Sequence, residues 1–93
     1  MKEIDYVAIG ARIREARKKV DWTQEELAER AGISLSFMGH VERGTRKASV
    51  ETIVHLSEVL SADLHYWLTG ESISDGSKEI IRQYLTESIE KLK

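Results

Sequence analysis

The feature of this sequence that most restricts its fold is a pair of short helices predicted in immediate succession within residues 23–44. Thr23, followed three residues later by a glutamate, has the spacing of a capping box and starts the first helix. Gly32 stands where that helix must end and turn left-handed. Ser34 is a good N-cap for the second helix, which Gly44 ends.

The two short helices are predicted at about Gln24–Ala31 and Leu35–Arg43. Ala28 is small at the point where the second helix must cross closely over the first. Two helices that cross at about 90–120° through a turn of three or four residues form a helix-turn-helix, whose second helix protrudes. Such a helix fits the major groove of DNA, which is about 12 Å wide. The positions predicted to be buried by this pair are Leu27, Ala31, Ile33, Met38 and Val41.

The rest of the chain is also predicted to be helical. It contains no proline and only six glycines, and its apolar residues recur at spacings of three and four. Helices are predicted at about Val7–Lys19 and Ser77–Lys91, and Ser49 and Asp63 are the predicted caps of a fourth and a fifth helix. The apolar positions expected to form inner faces are Ile9, Ile13, Ala16 and Val20 in the first helix and Val50, Ile53, Val54, Leu56 and Leu60 in the fourth. The short fifth helix carries Leu64, Trp67 and Leu68.

Composition excludes several kinds of site and protein, and the distribution of charge bears on nucleic-acid binding. The absence of cysteine excludes disulfides and thiolate zinc sites. No apolar run approaches the roughly 20 residues that span a bilayer, and the N-terminus lacks a signal-peptide pattern, so a cytoplasmic protein is expected. The formal net charge of −2 argues by itself against a nucleic-acid partner. However, residues 10–47 carry nine cations and six anions, whereas residues 48–93 carry four and eight, so the predicted helix-turn-helix lies in a basic region.

These elements resemble the phage-repressor and Cro type of helix-turn-helix proteins, the XRE-like family. The similarity covers roughly residues 6–70, and the segments that carry it are Ile9–Arg14, Thr23–Gln24, Val41–Gly44 and Asp63–Gly70. It implies an all-α, five-helix lambda-repressor-like DNA-binding domain at residues 6–70, followed at residues 71–93 by a short linker and one additional C-terminal amphipathic helix. It also implies a sequence-specific transcriptional regulator, a repressor that binds a pseudo-palindromic site on double-stranded DNA as a homodimer.

The resemblance assigns base contacts to four residues of the second short helix, Leu35, Ser36, Gly39 and His40. A serine can donate or accept at a base edge, a histidine can reach a purine, and a leucine can contact a thymine methyl. The same side chains also suit an ordinary exposed helix, so each individual contact stays open. This helix has no Gln, Asn, Arg or Lys between Ser34 and Val41, although those types make the bidentate pairs with adenine and guanine. DNA shape and flanking contacts are therefore expected to contribute more.

The resemblance also implies phosphate contacts by a helix N-terminus and by the loop after the second short helix. The residues concerned are Gln24, Arg43, Thr45, Arg46 and Lys47. Free amides and the positive end of a helix dipole favour a phosphate, as do cations and a hydroxyl. The alternatives are a solvated glutamine and a basic loop without function. Arg17 and Glu42 match a family salt bridge that orients the second helix, and their predicted role is structural.

A homodimer is expected because one module of this size reads too few base pairs to find a genomic site. Two surfaces are candidates for the interface. One is formed by Tyr66 and Trp67, and the other is the C-terminal stripe of Ile81, Leu85, Ile89 and Leu92. The stripe has the alternative of packing on its own domain. A second function is an antitoxin or other regulator whose main task is to bind a partner protein through the C-terminal helix.

An enzyme is not expected. The three histidines lie on separate predicted helices, no Ser-His-Asp or Cys-His arrangement suggests itself, and no glycine-rich phosphate loop is present. No cofactor, metal, membrane partner or small-molecule domain is expected either.

Overall fold

The computed structural model describes residues 3–72 together with Gln83, Thr86 and Glu87. Residues 3–72 form five helices and no strand, which confirms the predicted all-α class. The helices are α1 Tyr6–Lys19, α2 Gln24–Ala31, α3 Leu35–Arg43, α4 Val50–Val59 and α5 Leu64–Thr69. The bounds predicted for α2 and α3 are confirmed, and α1 begins one residue earlier than predicted. None of the described helices has both the length and the apolar character that crossing a bilayer requires.

The predicted C-terminal helix at Ser77–Lys91 lies almost entirely outside the described residues. Gln83, Thr86 and Glu87 are described and are helical. The helix therefore stays a prediction, as does the division of the chain at residues 70 and 71.

Local capping explains where the helices begin. The amide of Glu26 donates to the Thr23 hydroxyl at 3.0 Å, and the Glu26 carboxylate accepts from the Thr23 amide at 3.3 Å, so the predicted capping box is formed. The hydroxyl of Ser34 accepts from the amide of Phe37 at 3.0 Å. Asp5, Ser49 and Asp63 cap α1, α4 and α5 in the same way. Each start is thus determined by a residue adjacent to the helix in sequence.

The core lies where α3 meets α1 and α2 and where α5 meets α1 and α4. Its least exposed large side chains are Ile13, Leu27, Met38, Leu56 and Trp67. His55 of α4 contributes a polar contact, since its Nε2 donates to the carbonyl of Ala31 at 3.1 Å and so satisfies the end of α2. These contacts make one continuous core beneath the predicted helix-turn-helix.

Two predicted core positions are wrong. Val50 is 70% exposed, because it is the first residue of α4 and the buried positions of that helix begin one turn later at Ile53. Val20 is 41% exposed, because it is the C-cap of α1, where the backbone leaves the helix. Helical spacing identifies the inner face of a helix, but burial at its ends depends on how far the neighbouring helices extend.

A close backbone approach sets the position of α3 against α1. A Cβ added at Gly10 would clash with the carbonyl oxygens of Val41 and Glu42. Gly44, which ends α3 with a φ of 69°, lies directly against the backbone of Val7. Both ends of this contact require glycine, one for space and one also for its left-handed conformation. The last turn of α3 is therefore held against the first turns of α1.

Candidate nucleic-acid interface

The turn between α2 and α3 directs the second helix away from the first. Gly32 is left-handed, with a φ of 71°, and its amide donates to the carbonyl of Glu29 at 3.2 Å. The amide of Ile33 donates to the carbonyl of Ala28 at 3.0 Å. These two bonds close the end of α2 before Ser34 begins α3, so the turn is short and fully hydrogen-bonded. Because Met38 of α3 packs inward, the opposite side of α3 is left facing outward.

A buried ion pair holds the orientation of α3. The Nε of Arg17 donates to Oε2 of Glu42 at 2.7 Å, and Nη2 donates to Oε1 at 2.9 Å. The remaining Nη1 donates to the carbonyl of Trp22 at 2.8 Å. Arg17 is 8% exposed and Glu42 6%, so the pair is shielded from water. The predicted structural pair is thus formed, and it joins α1 to the last turn of α3 in a bidentate geometry.

The hydrogen bonds that Arg17 donates to Glu42 raise the pKa of Arg17 above its ordinary value, against the opposing effect of burial. The guanidinium therefore stays charged at any pH at which the protein works. Gln24 joins the same cluster, because its Nε2 donates to Oε1 of Glu42 at 3.1 Å. This bond was not anticipated from the sequence. It uses one of the two amide hydrogens of Gln24 within the protein.

The residues predicted to contact bases occupy different environments. Leu35 is 50% exposed at the start of α3, and Ser36 is exposed beside it. His40 is half-buried, and its Nδ1 lies 2.7 Å from the hydroxyl of Thr45 in the following loop. Leu35, Ser36 and His40 are thus on the outward side of α3, where a ligand can reach them.

Gly39, the fourth residue that the resemblance assigns to a base contact, is not open on this outward side. Gly39 is buried, and Nη1 of Arg43 lies 2.9 Å from the position that a Cβ of Gly39 would occupy. The Arg43 side chain covers the glycine because helical side chains point back over the preceding turn. Sequence reasoning placed Arg43 in the loop and so missed this arrangement, although the spacing of four residues is its signal.

The predicted phosphate-contact loop is exposed next to α3. Arg43, Thr45, Arg46 and Lys47 are all exposed. The amide of Thr45 donates to the carbonyl of His40 at 3.0 Å, which fixes the start of the loop on the end of α3. The loop itself therefore presents two cations, Arg46 and Lys47, next to the end of α3, and cations of this kind favour contact with a phosphate backbone.

One of the two residues predicted to form a dimer surface at α5 is buried in the structure. Trp67 is 1% exposed and lies in the monomer core, so its assignment to an interface between subunits is wrong. Tyr66 is half-buried and stacks against the guanidinium of Arg12, which also donates to the carbonyl of Trp67 at 2.9 Å. Leu68, two residues later in α5, is 47% exposed. The other predicted surface, Ile81, Leu85, Ile89 and Leu92, lies outside the described residues.

Comparison with known proteins agrees with this geometry. The helix-turn-helix family model HTH_3 matches residues 13–67. The HTH-type transcriptional regulator ImmR of Bacillus subtilis is 28% identical over 88 residues, which cover 94% of this chain and 69% of ImmR. The HTH-type transcriptional regulator SinR of the same organism is 30% identical over 91 residues, which cover 89% of this chain and 82% of SinR.

A solved structure matches the same region. The P22 c2 repressor protein in complex with a synthetic operator has a TM-score of 0.63 and 32% identity, over 68% of this chain and 96% of the repressor. The relatives are DNA-binding transcriptional regulators and not enzymes. The family model covers more than half of the sequence. The chain therefore belongs to the HTH_3 helix-turn-helix family, the XRE or phage-repressor type of regulator.

Proposed function

We propose that this chain is a sequence-specific repressor that binds a pseudo-palindromic site on double-stranded DNA as a homodimer. The observation that carries the proposal is the exposed outer side of α3, which is held in one orientation by the buried pair of Arg17 and Glu42. A protruding helix in a fixed orientation is what major-groove readout requires, because base contacts tolerate little misplacement. The relatives named above support the same function.

In this proposal Leu35, Ser36 and His40 meet base edges. The exposed methyl groups of Leu35 contact a thymine methyl, and the Ser36 hydroxyl donates or accepts at an edge beside it. His40 acts from the next turn, with its Nδ1 engaged by Thr45, while its Nε2, which has no hydrogen-bond partner among the described residues, points toward a base. Selection from random duplexes with His40→Ala and Ser36→Ala should change the preferred sequence more than the non-specific affinity.

Phosphate contacts come from Arg46, Lys47 and the Thr45 hydroxyl on one side, and from the N-terminus of α2 with Gln24 on the other. The exposure of the loop and of its two cations, Arg46 and Lys47, supports this assignment. Such contacts position the protein without reading sequence, and they make binding strongly dependent on salt.

The homodimer places two copies of α3 about 34 Å apart, one turn of the double helix. The exposed Leu68 of α5 supports a contact through this helix. The apolar stripe predicted from the sequence, which includes Leu85 and Ile89, is the second candidate surface. Leu85→Asp with Ile89→Asp should produce a monomer in sedimentation analysis and weaken binding to a full site far more than to a half-site. A chain that binds DNA in this way works in the compartment that holds the genome, the bacterial cytoplasm.

The function is tested by selecting bound sites from random duplex DNA and sizing the complex. The expected result is an enriched pseudo-palindrome bound by two subunits. Arg46→Ala with Lys47→Ala removes two cations per subunit, so the slope of log affinity against log salt should decrease in magnitude by about 4 for a dimer. Lys47→Ala is the single test variant, and Lys19→Ala is its matched control, since it also removes one lysine charge. Lys19 lines the groove between α1 and α5 and is not part of the proposed phosphate-contact loop. Lys19→Ala should leave the slope unchanged. No enriched sequence for the wild-type protein would refute the proposed function.

Binding of a partner protein is a second candidate. SinR has been solved in a complex with the SinI protein, and that structure matches 85% of this chain at 29% identity. Pull-down of a partner that survives Arg46→Ala with Lys47→Ala but not Leu85→Asp with Ile89→Asp would favour this function over DNA binding.

A further inference from the structure

The last residue of α3 supplies a cation that residues 35–41 of the same helix lack. Arg43 stands at the end of α3, and its guanidinium lies back over Gly39, one turn nearer the N-terminus. The nitrogen Nη1 is 2.9 Å, Nη2 3.4 Å and Cζ 3.5 Å from the Cβ position of Gly39. The whole guanidinium therefore occupies the space that a side chain at residue 39 would take.

This guanidinium has its donors available. Within residues 3–72 the Arg43 side chain forms no ion pair with a carboxylate and no hydrogen bond. Its neighbour in sequence, Glu42, is buried and is engaged by Arg17 and Gln24. The side chain is exposed, so its planar fork of donors faces solvent.

The Arg43 guanidinium lies on the outward side of α3. Ser36, His40 and Arg43 are spaced at i, i+4 and i+7, so they share one side of the helix. Because the guanidinium lies over Gly39, which precedes His40 and follows Ser36 by three residues, it is held on this side of α3 and not out along the loop. A guanidinium at this place meets the floor of the major groove when Ser36 and His40 do.

We propose that Arg43 reads a guanine in the major groove and that Gly39 is the positioning residue that makes room for it. The fork matches the O6 and N7 acceptors of guanine, which present two acceptors in one plane. Gly39 makes no base contact itself and acts only through Arg43. This inference rests on the proposed function, and it supplies the bidentate reader that is missing between Ser34 and Val41.

The test compares Arg43→Ala, Arg43→Lys, Gly39→Ala and the double variant of Gly39→Ala with Arg43→Ala. Sites are first selected from random duplexes with the wild-type protein. Affinities are then measured for the selected site, for the site with its guanine replaced, and for unrelated duplex. Loss of a bidentate contact lowers the preference for guanine roughly 5- to 150-fold.

Each variant has a distinct expected result. Arg43→Ala abolishes the preference at one symmetric position, and Arg43→Lys also loses it while retaining affinity for unrelated duplex within about twofold. Gly39→Ala lowers the preference at the same position at least fivefold, although Arg43 is still present. In the double variant the added Gly39→Ala causes no further loss, because its effect passes through Arg43.

Folding is controlled within the same set. The added methyl of Gly39→Ala meets the far end of a flexible side chain, and alanine is a better helix former than glycine. The midpoint of thermal unfolding should therefore rise by about 2–8 °C. A loss of guanine preference in a variant that is more stable cannot come from misfolding.

Two results would overturn the inference while leaving the proposed function intact. One is a Gly39→Ala variant that keeps the wild-type preference for guanine. The other is an Arg43→Ala variant that weakens all duplexes equally and lowers the salt dependence, which would make Arg43 a phosphate contact. A wild-type protein that enriches no sequence at all would overturn both the inference and the proposed function.

Discussion

Replacing Arg17 with methionine tests whether the buried ion pair holds α3 in place. The substitution removes the two hydrogen bonds to Glu42 and the one to the carbonyl of Trp22. It leaves the Glu42 side chain, which is only 2% exposed, with Gln24 as its one remaining side-chain donor among the described residues. Methionine fills a similar volume, so the main change is a charge left buried without its partner.

The magnitude follows from that burial. Removing one partner of a buried pair costs about 3–5 kcal/mol, because the remaining charge cannot be solvated. An exposed pair contributes only about 0–1 kcal/mol. For a domain of this size, a loss of 3 kcal/mol corresponds to a decrease of at least about 12 °C in the unfolding midpoint. Since the total stability of such domains is about 5–15 kcal/mol, Arg17→Met should be visibly destabilised at room temperature.

The assay is urea unfolding followed by circular dichroism for Arg17→Met, Glu42→Leu and the double variant. The matched control is Lys19→Met, which breaks an exposed pair with Glu15 at 3.4 Å on the same helix. Lys19→Met should cost less than about 1 kcal/mol. The double variant should recover most of the loss, because an apolar pair leaves no charge behind. If Arg17→Met costs no more than Lys19→Met, the reasoning about the buried pair is refuted.

Three further perturbations test other parts of the structure. Gly10→Ala should destabilise the fold by about 1–3 kcal/mol and weaken DNA binding, because the methyl forces α1 away from the carbonyls of α3; unchanged unfolding and binding curves would contradict the close approach. Thr23→Ala should cost about 0.5–2 kcal/mol in urea unfolding through loss of the capping box, with little effect on the preferred DNA sequence. Trp67→Ala should cost about 3–5 kcal/mol in the same assay at a protein concentration at which the chain is monomeric; a loss that appeared only on dimerisation would return this residue to the interface.

The sequence was sufficient for features that depend on neighbouring residues. Capping by Thr23 and Ser34 and the left-handed glycines determined the bounds of α2 and α3, because a cap hydrogen bond spans three residues. The 3.6-residue period of a helix identified Ile13, Leu27 and Met38 as core positions, because this period also relates residues only three or four positions apart. The pairing of Arg17 with Glu42 was obtained from family resemblance, since no local pattern links residues 25 positions apart.

Only the tertiary structure decided the distances between elements that are far apart in sequence. Trp67 is at the centre of the core and not at a dimer surface, because α5 packs on both α1 and α4. Gln24 donates to Glu42 because the start of α2 meets the end of α3. The Arg43 guanidinium lies over Gly39 and pairs with no other described side chain. This depends on the tertiary structure, because the neighbouring carboxylate, Glu42 of α3, is paired with Arg17 of α1. Capping and periodicity are short-range and can be read along the chain, whereas burial and ion pairing depend on how the finished helices cross.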